Sequence, residues 1–377
     1  MAGHPASPSH GHQRLASLDI LRGIDMFLLV FLQPVLVSIG EAANVGWLND
    51  LLFHFEHQEW DGFRFWDIIM PLFMFMCGAA MPFSFAKYHG TAGRSRLYGR
   101  ILKRVVILWI LGMVVQGNLL ALDPSCLRFY SNTLQAIAAG YLIGSVIILN
   151  FRLPWQIVAT VLLLLIYWIP MTFCGDWTPE GNFAEAIDRA VLGRWRDKVY
   201  WDSAGWHFYP SYTYTWIWSS LTFGVTVMLG YFAGLTIKRG GMKFTTALKL
   251  AITGLALILG AFLWQLQMPI IKHIWTCSMT LFAGGICFLL MAVFFWWVDL
   301  LKHRRGLMWL NIYGMNSITA YVIGEVVNFR SVADSLTFGL QRFMSQAWYE
   351  AWLTFANFSI VFLILYVMYR FRIFIKF

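Results

Sequence analysis

Ten apolar runs, each about as long as a bilayer's hydrocarbon core is thick, leave this chain few ways to fold. A helix needs roughly 20 apolar residues to cross ~30 Å of hydrocarbon. Inside lipid only segments that satisfy their own backbone hydrogen bonds persist. The runs centre on 20–40, 65–86, 101–120, 132–150, 155–173, 213–236, 246–265, 275–298, 309–328 and 352–370. They predict an all-α polytopic membrane protein, a bundle of about ten transmembrane helices. The breaks between runs coincide with turn-forming residues: Gly90/Gly93, Asp123-Pro124, Pro154, Pro179 and Gly240-Gly241. Composition agrees, with 59% hydrophobic and 12% charged residues where soluble proteins carry about 25% charged. No internal repeat is visible, which sets the chain apart from inverted-repeat transporters.

Residues 1–13, rich in Pro, Ser, Gly and His, read as a disordered N-terminal tail, and 14–377 as one transmembrane domain with a long outer loop at 174–212. The tail lacks the small-residue cleavage site of a signal peptide. Its histidines, His4, His10 and His12, are read as incidental, so no metal is expected. Cys77, Cys277 and Cys287 fall in apolar runs and are expected to pack as small hydrophobes. Cys126 and Cys174 fall in loops on one side, where pairing and free thiols are both open.

With the N-terminus in the cytoplasm, the inner loops collect most of the 28 Lys and Arg residues, and the charge bias orients the bundle that way. Both termini are then cytoplasmic and the loop around His57 faces a periplasm or lumen. The net charge of +9 follows from topology and anionic inner-leaflet lipid, and no nucleic-acid partner is expected. The outer loop 174–212 is rich in Trp, Tyr, Asp and Arg. It reads either as a sugar-stacking surface or as an aromatic cap lying on lipid.

Ionisable groups inside membrane spans are costly and mark function. Asp25 stands near the inner end of the first run, either snorkelling or pairing with Arg22; Asp67 stands near the outer end of the second, and Glu325 in the ninth. Gln33, Asn132, Gln135, Asn316, Ser317 and Thr319 add polar side chains. In FEHQEWDGFRFWDIIMPLFMFMCG (55–78), His57 stands among carboxylates just outside a span and Asp67 one turn inside it. If the loop between them turns back, Asp67 accepts a proton from one imidazole nitrogen. It then fixes the tautomer and raises the basicity of the other nitrogen, which suits His57 to act as a general base or as a nucleophile that carries the acyl group itself.

Four blocks occur in order along the chain: RLASLDILRGIDMFLLVF (14–31), HQEWDGFRFWDIIMPLFMFMCGAAMPFS (57–84), TLQAIAAGYLIG (133–144), and MPIIKHIWTCS (268–278) paired with GMNSITAYVIGEVV (314–327). The second is the most specific, with the spacing H-x-x-W-x-G-x4-D-x3-P-x-F-x-F-x-x-G. Together they resemble the transmembrane acetyltransferases of the heparan-α-glucosaminide N-acetyltransferase family, including its bacterial members. The resemblance implies a bacterial inner-membrane enzyme that takes acetyl from cytoplasmic acetyl-CoA and places it on the amine of a glucosamine-type sugar on the far side. His57 then falls on the transferring histidine and Asp67 on its partner carboxylate. Gln33 and Asn316 are the expected oxyanion donors, and Ser317, Glu325, Gln135 and Trp60 the expected acceptor contacts. Arg22, Lys103, Arg104, Lys238 and Arg239, together with Arg100, are the candidates for the CoA phosphates, since arginine pairs bidentately with such groups.

Two positions depart from the family pattern. Gln33-Pro34 stands where an asparagine is usual, and Leu134-Gln135-Ala136 where LQR is common. Two other functions fit the same spans: an amino-sugar transporter coupled through Asp25, Asp67 and Glu325, and an O-acetyltransferase of envelope glycans. Membrane lipid surrounds the bundle in every reading, and bundles of this kind commonly form homodimers.

Overall fold

A computed structural model describes residues 15–86, 88, 90–209 and 214–375. The tail with His4, His10 and His12 lies outside them. Among the described residues eight helices are long and apolar enough to cross a membrane, in place of the ten read from the apolar runs. We label the helices α1 (Ala16–Ala43), α2 (Gly46–Phe53), α3 (Phe65–Phe85), α4 (Gly90–Val115), α5 (Thr133–Asn150), α6 (Leu153–Phe173) and α7 (Phe183–Leu192). They continue as α8 (Ser220–Gly240), α9 (Phe244–Gln265), α10 (Cys277–Leu300), α11 (Met308–Met315), α12 (Ser317–Val326), α13 (Arg330–Thr337) and α14 (Gln346–Arg370). The eight are α1, α3, α5, α6, α8, α9, α10 and α14. The run at 101–120 belongs to α4, a 26-residue helix that starts back at Gly90 and is laced with arginines and lysines. The run at 309–328 is split at Asn316 into the short helices α11 and α12.

Helices α3 and α8 form the centre: 72% of the most apolar stretch of each is buried, against 28% for α6 and α9. The last two carry exposed Ile157, Val161, Ile252, Leu255 and Leu259, an apolar face of the kind lipid covers. Packing of apolar helices without a hydrophobic drive depends on close backbone approach at small residues. A Cβ on Gly78 of α3 would overlap the carbonyl of Val227, and one on Gly230 of α8 would overlap that of Phe75.

Helix α1 widens into a π-turn over Leu28–Leu32. Pro34, at the second position after it, has no N–H to return to the carbonyl of residue 30. The wider turn accommodates that lost bond.

The segment 174–209, part of the loop read from sequence as the outer one, is folded. It contains α7 and an antiparallel hairpin of β1 (Val199–Asp202) with β2 (Gly205–Phe208), in which Val199 faces Phe208. Arg196, fully buried, pairs with Glu185, which also accepts from Arg189 at 2.8 Å. Cys126 and Cys174 are both free thiols in this fold. The loop aromatics divide. Trp201, Trp206 and Tyr209 stay exposed on the hairpin, whereas Trp177 packs against the core.

Candidate active site

The start of α3 and the position of Asp67 have one cause. Arg64 is extended, and its backbone N–H donates to Asp67 Oδ2 at 2.9 Å, a cap that closes the first turn of the helix. A carboxylate is favoured at this position, where the helix leaves its N–H groups unpaired. The Gln58 N–H reaches the same oxygen at 3.3 Å. Oδ2 is therefore committed to the backbone and Oδ1 is left for side chains. His57 Nδ1 lies 2.8 Å from Oδ1. An ionised carboxylate only accepts, so Nδ1 carries the proton and Nε2 holds a lone pair.

The third member of the cluster was not singled out in the sequence. Lys272 Nζ lies 3.4 Å from Asp67 Oδ1, 2.8 Å from His57 Nδ1 and 3.2 Å from His57 Nε2. With Nδ1 donating to Asp67, the ammonium finds its acceptor at Nε2. The only signal in the sequence was a lysine inside the otherwise apolar stretch from Met268. Buried Lys272 is held by a loop whose backbone is bonded at nearly every step. Gly62 N–H donates to Ile270 O at 2.8 Å, Ile271 N–H to Thr276 Oγ1 at 3.1 Å and Thr215 N–H to His273 O at 3.1 Å. Ser219 and Tyr167 hydroxyls both donate to Ile274 O.

The electrostatics follow from this placement. Burial pushes the Lys272 ammonium down to about 8, against the attraction of Asp67. The His57 imidazole is held below its ordinary value, first by withdrawal from water and then by the Lys272 charge, with Asp67 opposing both. His57 is therefore neutral at neutral pH while its side chain stays 40% exposed at the cavity mouth. His273 is pushed down to about 4, first by burial and then by the neighbouring Lys272 charge. As a neutral ring it stacks on Trp60 (centroids 5.8 Å apart, planes at 21°) and packs on Tyr214. Trp60 in turn donates to Trp177 O at 2.7 Å, which ties the His57 loop to the outer segment.

His57 and Lys272 open onto a cavity of about 490 Å³, within the range of small-ligand sites. Its walls include Asp25, Met26 and Leu29 of α1, Trp66, Ile69, Met70 and Phe73 of α3, Ser131, Thr133, Leu134 and Ile137 at the start of α5, and Tyr321 and Glu325 of α12, with Asp197 and Lys198 ahead of β1 and Tyr214 and Trp216 ahead of α8. Trp216 is positioned by Asp188, whose two carboxylate oxygens accept the Trp216 and Ile217 N–H groups at 2.7 and 2.9 Å.

Beyond Phe73, one turn further along α3, Arg22 Nη2 donates to Met76 O at 3.1 Å, and Arg104 Nη2 lies 3.6 Å from Cys77 Sγ with its guanidinium over the Tyr141 ring. Two of the six basic candidates thus meet at adjacent residues of α3. Lys238 donates to Pro82 O at 2.6 Å, still further along the same helix. Lys103 is exposed on the far face of α4, and Arg239 lines a separate groove among α6, α8, α9 and α10.

Four polar candidates take other positions. The Gln135 amide is used up in a cap at the start of α5. Its oxygen accepts the Ser131 and Asn132 N–H groups and its nitrogen donates to Phe129 O. Gln33 donates to Phe55 O at 3.3 Å and lines a second groove between α1, α12 and α14. Asn316 ties down the C-terminal segment, donating to Ile373 O and accepting from Ile375 N–H, each at 3.1 Å. Ser317 follows it as the first residue of α12. Asp25 makes no pair with Arg22, which turns to Asp19 at 3.6 Å as well as to Met76 O.

No protein-family model matches the chain. Among curated proteins it is similar to human heparan-alpha-glucosaminide N-acetyltransferase, 24% identical over 368 residues, with 83% of this chain and 53% of that protein covered. This similarity supports a distant family relationship, and the chain spans about half the length of that relative.

Proposed function

We propose that the protein is a transmembrane acetyltransferase. It moves an acetyl group from acetyl-CoA, entering from the cytoplasm at the Arg22 end of the cavity, to the amine of a glucosamine-type sugar arriving at the His57 end. The observation that carries the reading is the Lys272–His57–Asp67 cluster, at one end of a cavity whose far wall continues toward Arg22 and Arg104. The distant relative, an N-acetyltransferase by name, supports the same chemistry.

CoA phosphates do not cross hydrocarbon, whereas the pantetheine arm is thin and uncharged. Arg22 and Arg104, with Lys238 beyond them, would hold the phosphates while the thioester reaches toward His57. Trp66, Ile69, Met70 and Phe73 give the arm an apolar wall. At the cluster, the acceptor enters as its free amine and attacks the thioester carbonyl. The C–N bond forms and the C–S bond breaks. His57 Nε2 takes the proton lost by nitrogen and returns it to the departing thiolate. Asp67 keeps the proton on Nδ1 and stabilises the imidazolium that forms in between. As the amine approaches, the Lys272 ammonium turns from His57 Nε2 to the oxyanion that develops on the thioester oxygen, the role expected from sequence for Gln33 and Asn316. Preorganised donors of this kind lower barriers most where water is excluded.

The test is direct. Purified protein in liposomes, given labelled acetyl-CoA and glucosamine, should yield N-acetylglucosamine, with mass spectrometry separating N- from O-acetyl product. His57→Ala should remain folded by circular dichroism and lose transfer. Full activity in that variant, or uptake of labelled amino sugar without acetylation, would overturn the reading. A single turnover without acceptor, followed by peptide mass spectrometry, shows whether acetyl ever resides on His57; direct transfer predicts an unmodified histidine.

A further inference from the structure

Asp25 is an acidic wall residue of the cavity that the reaction above leaves unused. It is fully buried in α1, and neither carboxylate oxygen has a hydrogen-bond partner among the described residues. Buried polar groups are nearly always paired, and Asp25 differs from the other unpaired buried side chains among the described residues in being a carboxyl with both oxygens unpaired on a cavity wall. Its wall neighbours Met26, Leu29, Met70 and Phe73 offer no donor. The Tyr321 hydroxyl, also on the wall, bonds to the Asn132 amide at 3.2 Å and makes no bond to Asp25.

Position narrows what would pair with it. Asp25 stands three residues from Arg22 on α1, about 4.5 Å along the axis. Phe73 on α3 stands three residues from Met76, whose carbonyl receives Arg22. Both helices therefore put Asp25 on the stretch between the arginine end and His57. A ligand there must be thin, largely apolar and equipped with N–H donors that lose their water on entry. The pantetheine arm has that chemistry, an uncharged chain with two secondary amides.

We infer that Asp25 is a docking point for an amide N–H of the acyl donor's pantetheine arm, and so sets how far the thioester extends toward His57. The inference rests on the acetyltransferase reading and adds a specificity residue to it. Either protonation form of the carboxyl presents an oxygen that accepts the amide proton.

The experiment compares acetyl-CoA, S-acetylpantetheine and the amide-free thioester S-acetyl-2-mercaptoethanol in wild type, Asp25→Leu and Asp25→Asn. The leucine removes the acceptor at similar volume. It should raise KM about tenfold or more for the two amide-bearing donors and leave the amide-free thioester unchanged. The asparagine keeps an acceptor oxygen and should stay within a few-fold of wild type. Should the leucine variant fail to fold, infrared difference spectra of wild type and Asp25→Asn with bound CoA decide. A carboxyl band that shifts on binding in wild type only supports the contact, and its absence overturns it. Equal KM effects on all three donors, or none on acetyl-CoA, also overturn it. Wild-type protein that neither binds nor consumes acetyl-CoA would instead remove the acetyltransferase reading itself.

Discussion

Lys272 brings its ammonium to within 2.8 and 3.2 Å of the two ring nitrogens of His57, across 215 residues of sequence. The positive charge opposes protonation of the ring and the carboxylate of Asp67 favours it. Burial, reinforced by the Lys272 charge, keeps the imidazole neutral, while the Asp67 carboxylate holds its orientation.

Replacing Lys272 with Met removes the charge and keeps much of the apolar stem. Transfer should fall about 100-fold or more in kcat, the usual loss for one oxyanion donor. With the positive neighbour gone, His57 protonates more easily, so the acid limb of the kcat/KM profile should move to higher pH. A lower kcat with an unmoved acid limb would mean that Lys272 acts on the oxyanion without tuning His57.

The alkaline limb belongs to Lys272 in this scheme. Its proton is lost as pH rises through about 8, so activity should be full below that pH and decline above it. Lys272→Arg keeps the charge at every accessible pH, and its residual activity should show no decline near pH 8. Rate profiles of the two proteins from pH 6 to 10 test this; the same limb in both would assign it to another group.

Asp67→Asn preserves an oxygen for the Arg64 N–H that caps α3, but the amide no longer holds the proton on Nδ1. We expect kcat to drop about 100-fold or more with the melting temperature little changed. A collapse of stability instead would show that the cap, not the histidine, is what Asp67 chiefly serves.

Arg22→Gln and Arg104→Gln should each raise KM for acetyl-CoA about tenfold, the worth of one charge-assisted hydrogen bond, with kcat nearly constant. S-acetylpantetheine, which has no nucleotide phosphates, should be indifferent to both. Steady-state kinetics with the two donors decides; sensitivity of the short donor would argue for a packing role of the arginines.

Gly78→Ala places a methyl against the Val227 carbonyl at the tightest point between α3 and α8. Overpacking of this kind costs about 1–3 kcal/mol, read as a lower melting temperature in detergent. An unchanged melting temperature would mean that the two helices separate there without cost.

Part of this protein was legible before any coordinates. The helical bundle follows from hydrophobic runs of membrane-spanning length, because the need to bond the backbone inside lipid acts locally on each segment. His57 and Asp67 were legible as neighbours because ten residues and a turn separate them. Less is legible where a residue's partner lies far along the chain or where backbone competes for a side chain. The Gln135 amide, a candidate acceptor contact, closes the first turn of α5. Asn316, a candidate oxyanion donor, fastens the C-terminal segment.

Sequence by itself determined that the chain is a bundle of apolar helices with a histidine–carboxylate pair beside one span, since length, hydropathy and short spacing fix those things. Only tertiary packing decided that Lys272 joins the pair, that Arg22 and Arg104 converge on Met76 and Cys77, and that Asp25 faces a cavity with no partner. Each of these depends on which helix faces register across the bundle. That register is set by the close fit of surfaces such as Gly78 on Val227, and no single segment encodes it.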